Sequence, residues 1–151
     1  MPGTVFTASP ADGRPWTGFR KAQARASLTC MDWKLELVFV PVSDVDRAKD
    51  FYVNKVGFNA DYDERPTEGI RFVQLTPPGS GCSICIGEGL NDAPPGTAPS
   101  LQLVVNDIHA AHKQLKDNGV DVSDVDVQEW GHFVYFSDPD GNKWAVQYIP
   151  R

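Results

Sequence analysis

The sequence predicts an α+β fold of two tandem βαβββ modules, because its second half repeats its first. The stretch V-S-D-V-D-R-A, which starts at Val42, recurs 63 residues later as V-N-D-I-H-A-A from Val105. The stretch R-F-V-Q-L-T-P-P from Arg71 recurs 61 residues later as H-F-V-Y-F-S-D-P from His132. A near-constant offset across two separated blocks indicates a duplicated supersecondary unit. We expect the two units to enclose a shared concave cavity.

Length and charge restrict the class of protein. The chain has 151 residues, 41% of them apolar, which suits one globular domain with a core. Its net charge is −6, and because residues 1–30 carry +3, the rest carry −9. Such an acidic domain would repel phosphate backbones, so nucleic acid is excluded as a partner. No apolar run reaches the ~18–20 residues that cross a bilayer, so no membrane partner is expected.

Domain boundaries follow from composition. Residues 1–32 lack periodicity and are rich in Pro, Gly, Ala, Ser and Thr, which predicts a disordered N-terminal tail. Met31 leaves open that residues 1–30 are an over-long translation start and absent from the native protein. The predicted domain covers residues 33–150, with module one at 33–90 and module two at 98–150. The three cysteines are odd in number and give no disulfide framework, so a cytoplasmic protein is expected.

Module one has one predicted helix among four predicted strands. Ser43 with Asp46 three residues later resembles a capping box, and Gly57 is a plausible end of the helix. Val45, Ala48, Phe51, Tyr52 and Val56 form one apolar face of that helix. Alternating or apolar runs bounded by Pro and Gly predict strands at Leu35–Val42, Phe58–Tyr62, Ile70–Thr76 and Cys82–Gly87.

Module two follows the same order. Asp107 caps a predicted helix that ends at Asn118-Gly119. The sequence D-P-D-G-N at 138–142 predicts a tight turn, because Pro fixes φ while Gly and Asn accept a positive φ. Strands are predicted at Leu101–Val105, Val120–Val122, His132–Phe136 and Lys143–Ile149.

Two motifs carry a family resemblance. The sequence F-S-D-P-D-G-N-K-W precedes the last strand, and V-S-D-V-D-R-A-K-D-F-Y-V-N-K-V-G-F opens module one. With the two βαβββ units they resemble the vicinal oxygen chelate superfamily over residues 33–149. That group includes glyoxalase I, extradiol dioxygenases, fosfomycin-resistance enzymes and bleomycin-resistance proteins. The resemblance implies the fold but leaves the function open, because this fold hosts lyases, isomerases, oxygenases and plain binders.

The resemblance also locates a metal site to be tested. Metal-dependent members hold a divalent ion with four residues, usually His or Gln on the first strand of each module and Glu on the last. Counting from the capping Asp residues, from the turn Gly and across the repeat gives Leu37, Ile84, Ser100 and Ala145. None is a carboxylate, imidazole or thiolate donor. The expected site therefore has degenerate ligand positions, with neither metal nor cofactor.

Strand alternation predicts what lines the cavity instead. Phe39 shares a strand face with Leu37, Gln102 shares one with Ser100, and Lys143 and Gln147 flank Ala145. Trp130 and His132 are expected at the mouth, where Trp130 either stacks on a planar ligand or covers the core edge. His132 either contacts the ligand or is structural. The predicted ligand-binding set is Phe39, Gln102, Trp130, His132, Lys143 and Gln147.

The leading hypothesis is a metal-free protein of the glyoxalase/bleomycin-resistance type that binds a small organic molecule. The alternative is a glyoxalase-like lyase, an isomerase or another enzyme that uses the same cavity, with catalytic residues unknown. A homodimer is expected, because each open half-sheet leaves a strand edge to be covered. The modules could pair within one chain or swap between two, and the ligand is not identified by the sequence.

Overall fold

The computed structural model describes residues 31–151, and every element lies in one compact unit, Leu35–Arg151. The prediction of a disordered tail falls almost wholly outside the described residues. The strands are β1 Leu37–Phe39, β2 Asn59–Glu64, β3 Arg71–Thr76, β4 Ser83–Glu88, β5 Leu101–Val105, β6 Asp126–Gln128, β7 Gly131–Ser137 and β8 Lys143–Tyr148. The helices are α1 Val45–Asp50, continued by a π-helical segment Phe51–Val56, and α2 Ile108–Asp117. Between residues 31 and 151, no helix has the length and apolar character to cross a membrane.

The strands form two four-stranded sheets, which confirms the predicted α+β fold of two βαβββ modules. Sheet one has the order β1-β4-β3-β2, and sheet two has the order β5-β8-β7-β6. In each sheet the first and last strands of the module pair in parallel and the other neighbours pair antiparallel. A parallel pair needs a crossover, and α1 and α2 supply it.

The hydrophobic core lies on the helix side of both sheets. In sheet one Leu75 and Ile84 are buried there, and in sheet two their counterparts are Phe136 and Trp144. Successive strand residues point to opposite faces, so the intervening side chains lie on the face away from the core. We call these faces the open face of sheet one and the open face of sheet two.

Each helix begins at an aspartate. The Asp44 side chain accepts a hydrogen bond from the Arg47 backbone N–H at 3.0 Å, and Asp107 caps α2 in the same way. The predicted cap at Ser43 is therefore wrong by one residue. Ser43 instead donates its hydroxyl hydrogen to Asp140 in module two, because its side chain lies at the junction of the modules.

The second half of the first helix is wider than an α-helix. The Gly57 N–H donates to the Tyr52 carbonyl at 2.9 Å, a five-residue step. Phe51, Tyr52 and Val56 are all buried in this π-helical segment. The apolar face predicted for a regular helix is thus kept, and the wider turn brings Tyr52 against module two.

A buried polar network joins the modules through the D-P-D-G-N turn. The Asp138 carboxylate accepts hydrogen bonds from the Tyr52 hydroxyl at 2.8 Å, from the Asn142 amide, and from the backbone N–H groups of Asp140 and Asn142. Asn142 also donates to the Pro41 carbonyl at 2.9 Å. Burial and the neighbouring Asp138 raise the pKa of Tyr52 far above its usual range, so its hydroxyl stays protonated. We call Asp138, Asn142 and Tyr52 the module bridge.

The prediction of a strand at Val120–Val122 is wrong. This segment lies between α2 and β6 and forms no strand, and Val120 is buried in the core. The second strand of module two is Asp126–Gln128, a three-residue strand whose one apolar residue, Val127, is exposed. Ser123 bridges the gap by hydrogen bonds to the Tyr135 backbone.

Candidate functional site

The open face of sheet two gathers most of the predicted ligand-binding residues. On β8 the core side chains Trp144 and Val146 alternate with residues that face the other way. The register of β5 on β8 aligns Gln102 with Ala145. The structure thus brings together Ser100, Gln102, Lys143, Ala145 and Gln147 on one face.

A cavity of about 790 Å³ lies over part of this face. Its volume is within the ~300–1,000 Å³ of small-molecule sites. Predicted positions Ser100, Lys143 and Ala145 line it, together with Tyr135 and Ser137 of β7. The cavity therefore lies against β7, β8 and the segment between α2 and β6, which supplies Asp121, Val122 and Ser123.

Hydrogen bonds from two glutamine side chains link β5 to β8, and β8 to the turn before β7. The Gln102 amide donates to the Gln147 side-chain oxygen, and Gln147 donates to the Trp130 carbonyl at 2.9 Å. A Cβ at Gly131 would lie 2.5 Å from the Tyr148 carbonyl oxygen, so only glycine allows this close approach. The indole of Trp130 is 64% exposed. Most of the surface of this residue is therefore accessible to solvent.

Two aromatic residues on this face, Phe133 and Tyr135, are absent from the set of ligand-binding residues predicted from the sequence. The rings of Phe133 and Tyr135 are nearly parallel, with an interplanar angle of 3° and centroids 6.0 Å apart. The Tyr135 hydroxyl donates to Asp126 at 3.3 Å, and Gln128 donates to the same carboxylate at 2.8 Å. Burial of the hydroxyl, followed by the Asp126 charge, raises the pKa of Tyr135. Alternation around buried Val134 could have identified both rings.

His132 does not join this group. It pairs with Tyr148 across β7 and β8, and the two rings contact each other with centroids 5.6 Å apart. Since His132 and buried Val134 are two residues apart on one strand, they share the helix side of the sheet. His132 therefore lies on the face opposite Lys143 and Gln147.

Phe39 lies on the other sheet. It pairs with Cys85 on the open face of sheet one, is 45% exposed and lines a small cavity of about 60 Å³. Beside it the Gln74 amide donates to the Ser83 hydroxyl at 3.2 Å. Phe39 is thus separated from the residues gathered on sheet two.

One of the four degenerate ligand positions changes. Ile84 is 4% exposed and lies in the core, not on the open face of sheet one. Ile84 pairs with Leu75, whereas Phe136, the repeat mate of Leu75, pairs with Trp144. The β3–β4 turn is therefore one residue longer than the β7–β8 turn, which changes the offset from 61 to 60.

With the corrected offset, Cys85 corresponds to Ala145, and the four positions become Leu37, Cys85, Ser100 and Ala145. Burial raises the pKa of the Cys85 thiol to about 11, so it stays protonated at neutral pH. A metal ligand would need the thiolate. Within residues 31–151, no three His, Cys, Asp or Glu side chains are grouped as ligands for an ion.

Comparison with known proteins agrees with this architecture. The family model described as Glyoxalase/Bleomycin resistance protein/Dioxygenase superfamily matches residues 34–146. The uncharacterized protein YetH of Bacillus subtilis (strain 168) is 30% identical over 112 residues, covering 73% of this chain and 93% of YetH.

Solved structures agree as well. TnmS3, an antibiotic binding protein from Streptomyces sp. CB03234, is 35% identical with a TM-score of 0.73, covering 80% of this chain and 99% of TnmS3. A glyoxalase/bleomycin resistance protein from the same organism is 37% identical with a TM-score of 0.67, covering 76% of this chain and 99% of its own. The chain belongs to the glyoxalase/bleomycin resistance protein/dioxygenase superfamily.

Proposed function

We propose that this protein binds an aromatic small molecule on the open face of sheet two, without a metal ion. The observation that carries the proposal is the pair of parallel rings, Phe133 and Tyr135, on a face with a cavity of about 790 Å³. Aromatic pairs gain about 0.5–1.5 kcal/mol beyond the burial of their area. The exposed indole of Trp130 adds a further stacking surface at the rim. The likeness to TnmS3, an antibiotic binding protein, supports a binding role.

The metal-free part of the proposal rests on donor chemistry. Leu37 and Ala145 have no donor atom, Ser100 offers a neutral hydroxyl, and Cys85 holds its proton. Divalent ions at such sites are held by carboxylates, imidazoles or thiolates. Equilibration with Zn²⁺, Ni²⁺, Mn²⁺ and Fe²⁺ followed by elemental analysis is expected to find less than one tightly held ion per chain. One ion per chain after dialysis would contradict this part.

Binding is tested with a fluorescent aromatic probe, 1-anilinonaphthalene-8-sulfonate, titrated against the native-state protein. Tyr135→Ala removes half of the ring pair, and we expect it to weaken binding about tenfold, or 1.4 kcal/mol. The matched control is Val127→Ala on neighbouring β6, since Val127 is exposed but points to the opposite face from Asp126. Equal affinities for the two variants would contradict an aromatic site on this face.

A homodimer is part of the same proposal. Within residues 31–151, β1 pairs only with β4 and β5 only with β8, so each sheet has a free edge beside exposed Phe39 or Val104. Unpaired edges invite pairing with another strand. We infer that β1 of one copy meets β5 of a second, which would join the two open faces into one site. Light scattering should give twice the chain mass, and a monomer at micromolar concentration would contradict it.

The alternative is a lyase or isomerase in the same cavity. Such a reaction needs an acid and a base that both reach the substrate. His132 and Lys143 lie on opposite faces of sheet two, so they cannot act as that pair, and binding remains the better-supported function. Among residues 31–151, Cys82 and Cys85 form no disulfide, which supports a reducing, cytoplasmic setting for it.

A further inference from the structure

Two opposite charges stand at the ends of the aromatic pair on the open face of sheet two. We propose that the site selects an elongated aromatic molecule with a cationic group at one end and an anionic group at the other. The cation would meet Asp126 and the anion Lys143. This inference rests on the proposed binding function and names the class of ligand.

The strand register sets the spacing of the charges. Asp126 on β6 pairs with Phe133, and Lys143 on β8 pairs with Ser137. Phe133 and Ser137 are four residues apart on β7, a distance of about 13 Å along a strand. β6 and β8 flank β7 on opposite sides, so the two backbone positions are about 16 Å apart and a line between them crosses β7 at Tyr135. The flexible Lys143 stem shortens the gap between the two charged groups, so two linked rings with a charged group at each end suit the site.

The acidic end has capacity left for a ligand. Of the described residues, Tyr135 and Gln128 donate to Asp126, and both hydrogen bonds reach the same oxygen, Oδ2. Oδ1 therefore remains as an acceptor for a donor from the ligand. An amidinium can donate one N–H group to Oδ1 while its planar cation lies beside the Tyr135 ring.

The basic end is also uncompensated. In the described part of the chain, Lys143 has no carboxylate oxygen within 4 Å, although Asp121 and Asp138 line the same cavity. The ammonium group lies on an exposed residue whose flexible stem can follow a ligand. A carboxylate that reaches it would form a charge-assisted hydrogen bond. A dication would be repelled at this end and a dianion at Asp126.

The test uses three biphenyls of the same length. The first is 4′-amidinobiphenyl-4-carboxylate, which carries both end groups; the others are biphenyl-4-carboxamidine and biphenyl-4-carboxylate. Affinities are measured by calorimetry for the full chain and for Lys143→Met and Asp126→Asn, each checked for an unchanged circular dichroism spectrum. Lys143→Gln replaces Lys143→Met if the latter fails this check, and Asp126→Ala replaces Asp126→Asn.

We expect the two-ended compound to bind the parent about tenfold more tightly than either one-ended compound. Lys143→Met should abolish its advantage over the carboxamidine, and Asp126→Asn its advantage over the carboxylate. Equal affinity of all three compounds for the parent, or equal losses for all three in each variant, would overturn the charge assignment and leave the binding function standing. If none of the biphenyls and no anilinonaphthalene binds, the proposed function itself fails.

Discussion

The two modules share a topology but hold their helices to their sheets by different chemistry. In module one Arg71 is buried between helix and sheet, where it donates two hydrogen bonds to Asp63 and pairs with Asp46 at 2.9 Å. At the repeat positions of Arg71 and Asp46, module two has His132 and His109. Within the described part of the chain, the ion pairs between helix and sheet therefore belong to module one, while both modules keep their apolar core positions.

The turns before the last strand of each module also differ, and here the polar residues belong to module two. Module two carries the D-P-D-G-N turn, which supplies Asp138 and Asn142 to the module bridge. At the same place module one has P-P-G-S-G, at 77–81, with a single side chain able to hydrogen bond. Each module therefore has one polar feature that its copy lacks. Substitutions at corresponding positions of the two modules should show which of these residues the stability of the fold depends on.

The largest effect is expected from a carboxylate on β4. Ile84→Glu would bury a charge in the core, and we expect a loss of at least about 4 kcal/mol in the free energy of unfolding, or failure to fold. Ala145→Glu on β8 lies on the open face of sheet two and should cost less than about 1.5 kcal/mol. Urea titration measures both. Equal losses would show that the two strands present the same face, as the offset of 61 predicts.

The next largest loss in the free energy of unfolding is expected at the module bridge. Asp138→Ala leaves the Tyr52 hydroxyl, the Asn142 amide and two backbone N–H groups without their acceptor. We expect a loss of about 3 kcal/mol, because buried donors without partners are costly. The matched change in module one is Ser80→Ala, at an exposed turn residue, and should stay within about 0.5 kcal/mol. A loss at Asp138 as small as that at Ser80 would make the bridge dispensable.

A smaller loss of stability is expected at the contacts between helix and sheet, and it should differ between the two modules. Arg71→Met should cost about 2 kcal/mol at pH 7, since it breaks hydrogen bonds to charged groups. His132→Met, at the repeat position, should cost less than about 1 kcal/mol. Thermal and urea unfolding at pH 7 measure both variants against the parent. A costlier His132→Met would reverse the comparison.

The contact between Arg71 and Asp63 predicts that the free energy of unfolding depends on pH. Hydrogen bonds from Arg71 and then Lys49 hold the pKa of Asp63 well below its usual range. The unfolded carboxyl therefore takes up its proton at a higher pH than the folded one, and the stabilisation is complete above about pH 4 and lost as the pH falls further. The difference between the parent and Arg71→Met should shrink between pH 7 and pH 3. A difference that grows on acidification would contradict the pairing.

The smallest effect on stability is expected at the rim. Trp130 corresponds to Gly69 in module one, and its side chain is largely exposed. Trp130→Ala should change the free energy of unfolding by no more than about 0.5 kcal/mol while it weakens binding of the anilinonaphthalene probe. Unfolding curves and a fluorescence titration on one sample separate the two effects. A large loss of stability would assign Trp130 to the core edge.

The sequence predicts best where a repeat and a strand period act together. Gln102, Lys143 and Gln147 lie on the expected face, because β5 and β8 alternate strictly between core and open sides. Prediction fails at β6, where Asp126-Val127-Gln128 is an edge strand with no apolar pattern. It also fails at Ile84, since one extra residue in a turn reverses the face of the next strand without altering its composition.

Other differences depend on contacts between residues distant in the chain. Ser43 and Asp44 are both good helix caps, and only the position of Asp140, 97 residues after Ser43, decides which side chain turns away. His132 alternates with Phe133, and from the sequence pattern alone either could lie on the open face of sheet two. Phe133 takes the open face because Val134, buried at 0% exposure, fixes the strand's rotation.

The module bridge has a consequence for the folding of the chain. Asp138 and Asn142 come from module two, whereas the Tyr52 hydroxyl and the Pro41 carbonyl come from module one. Module two alone would therefore lack two of the hydrogen-bond partners of this network. Unfolding of either module removes partners from the other, so the chain should melt in one cooperative transition.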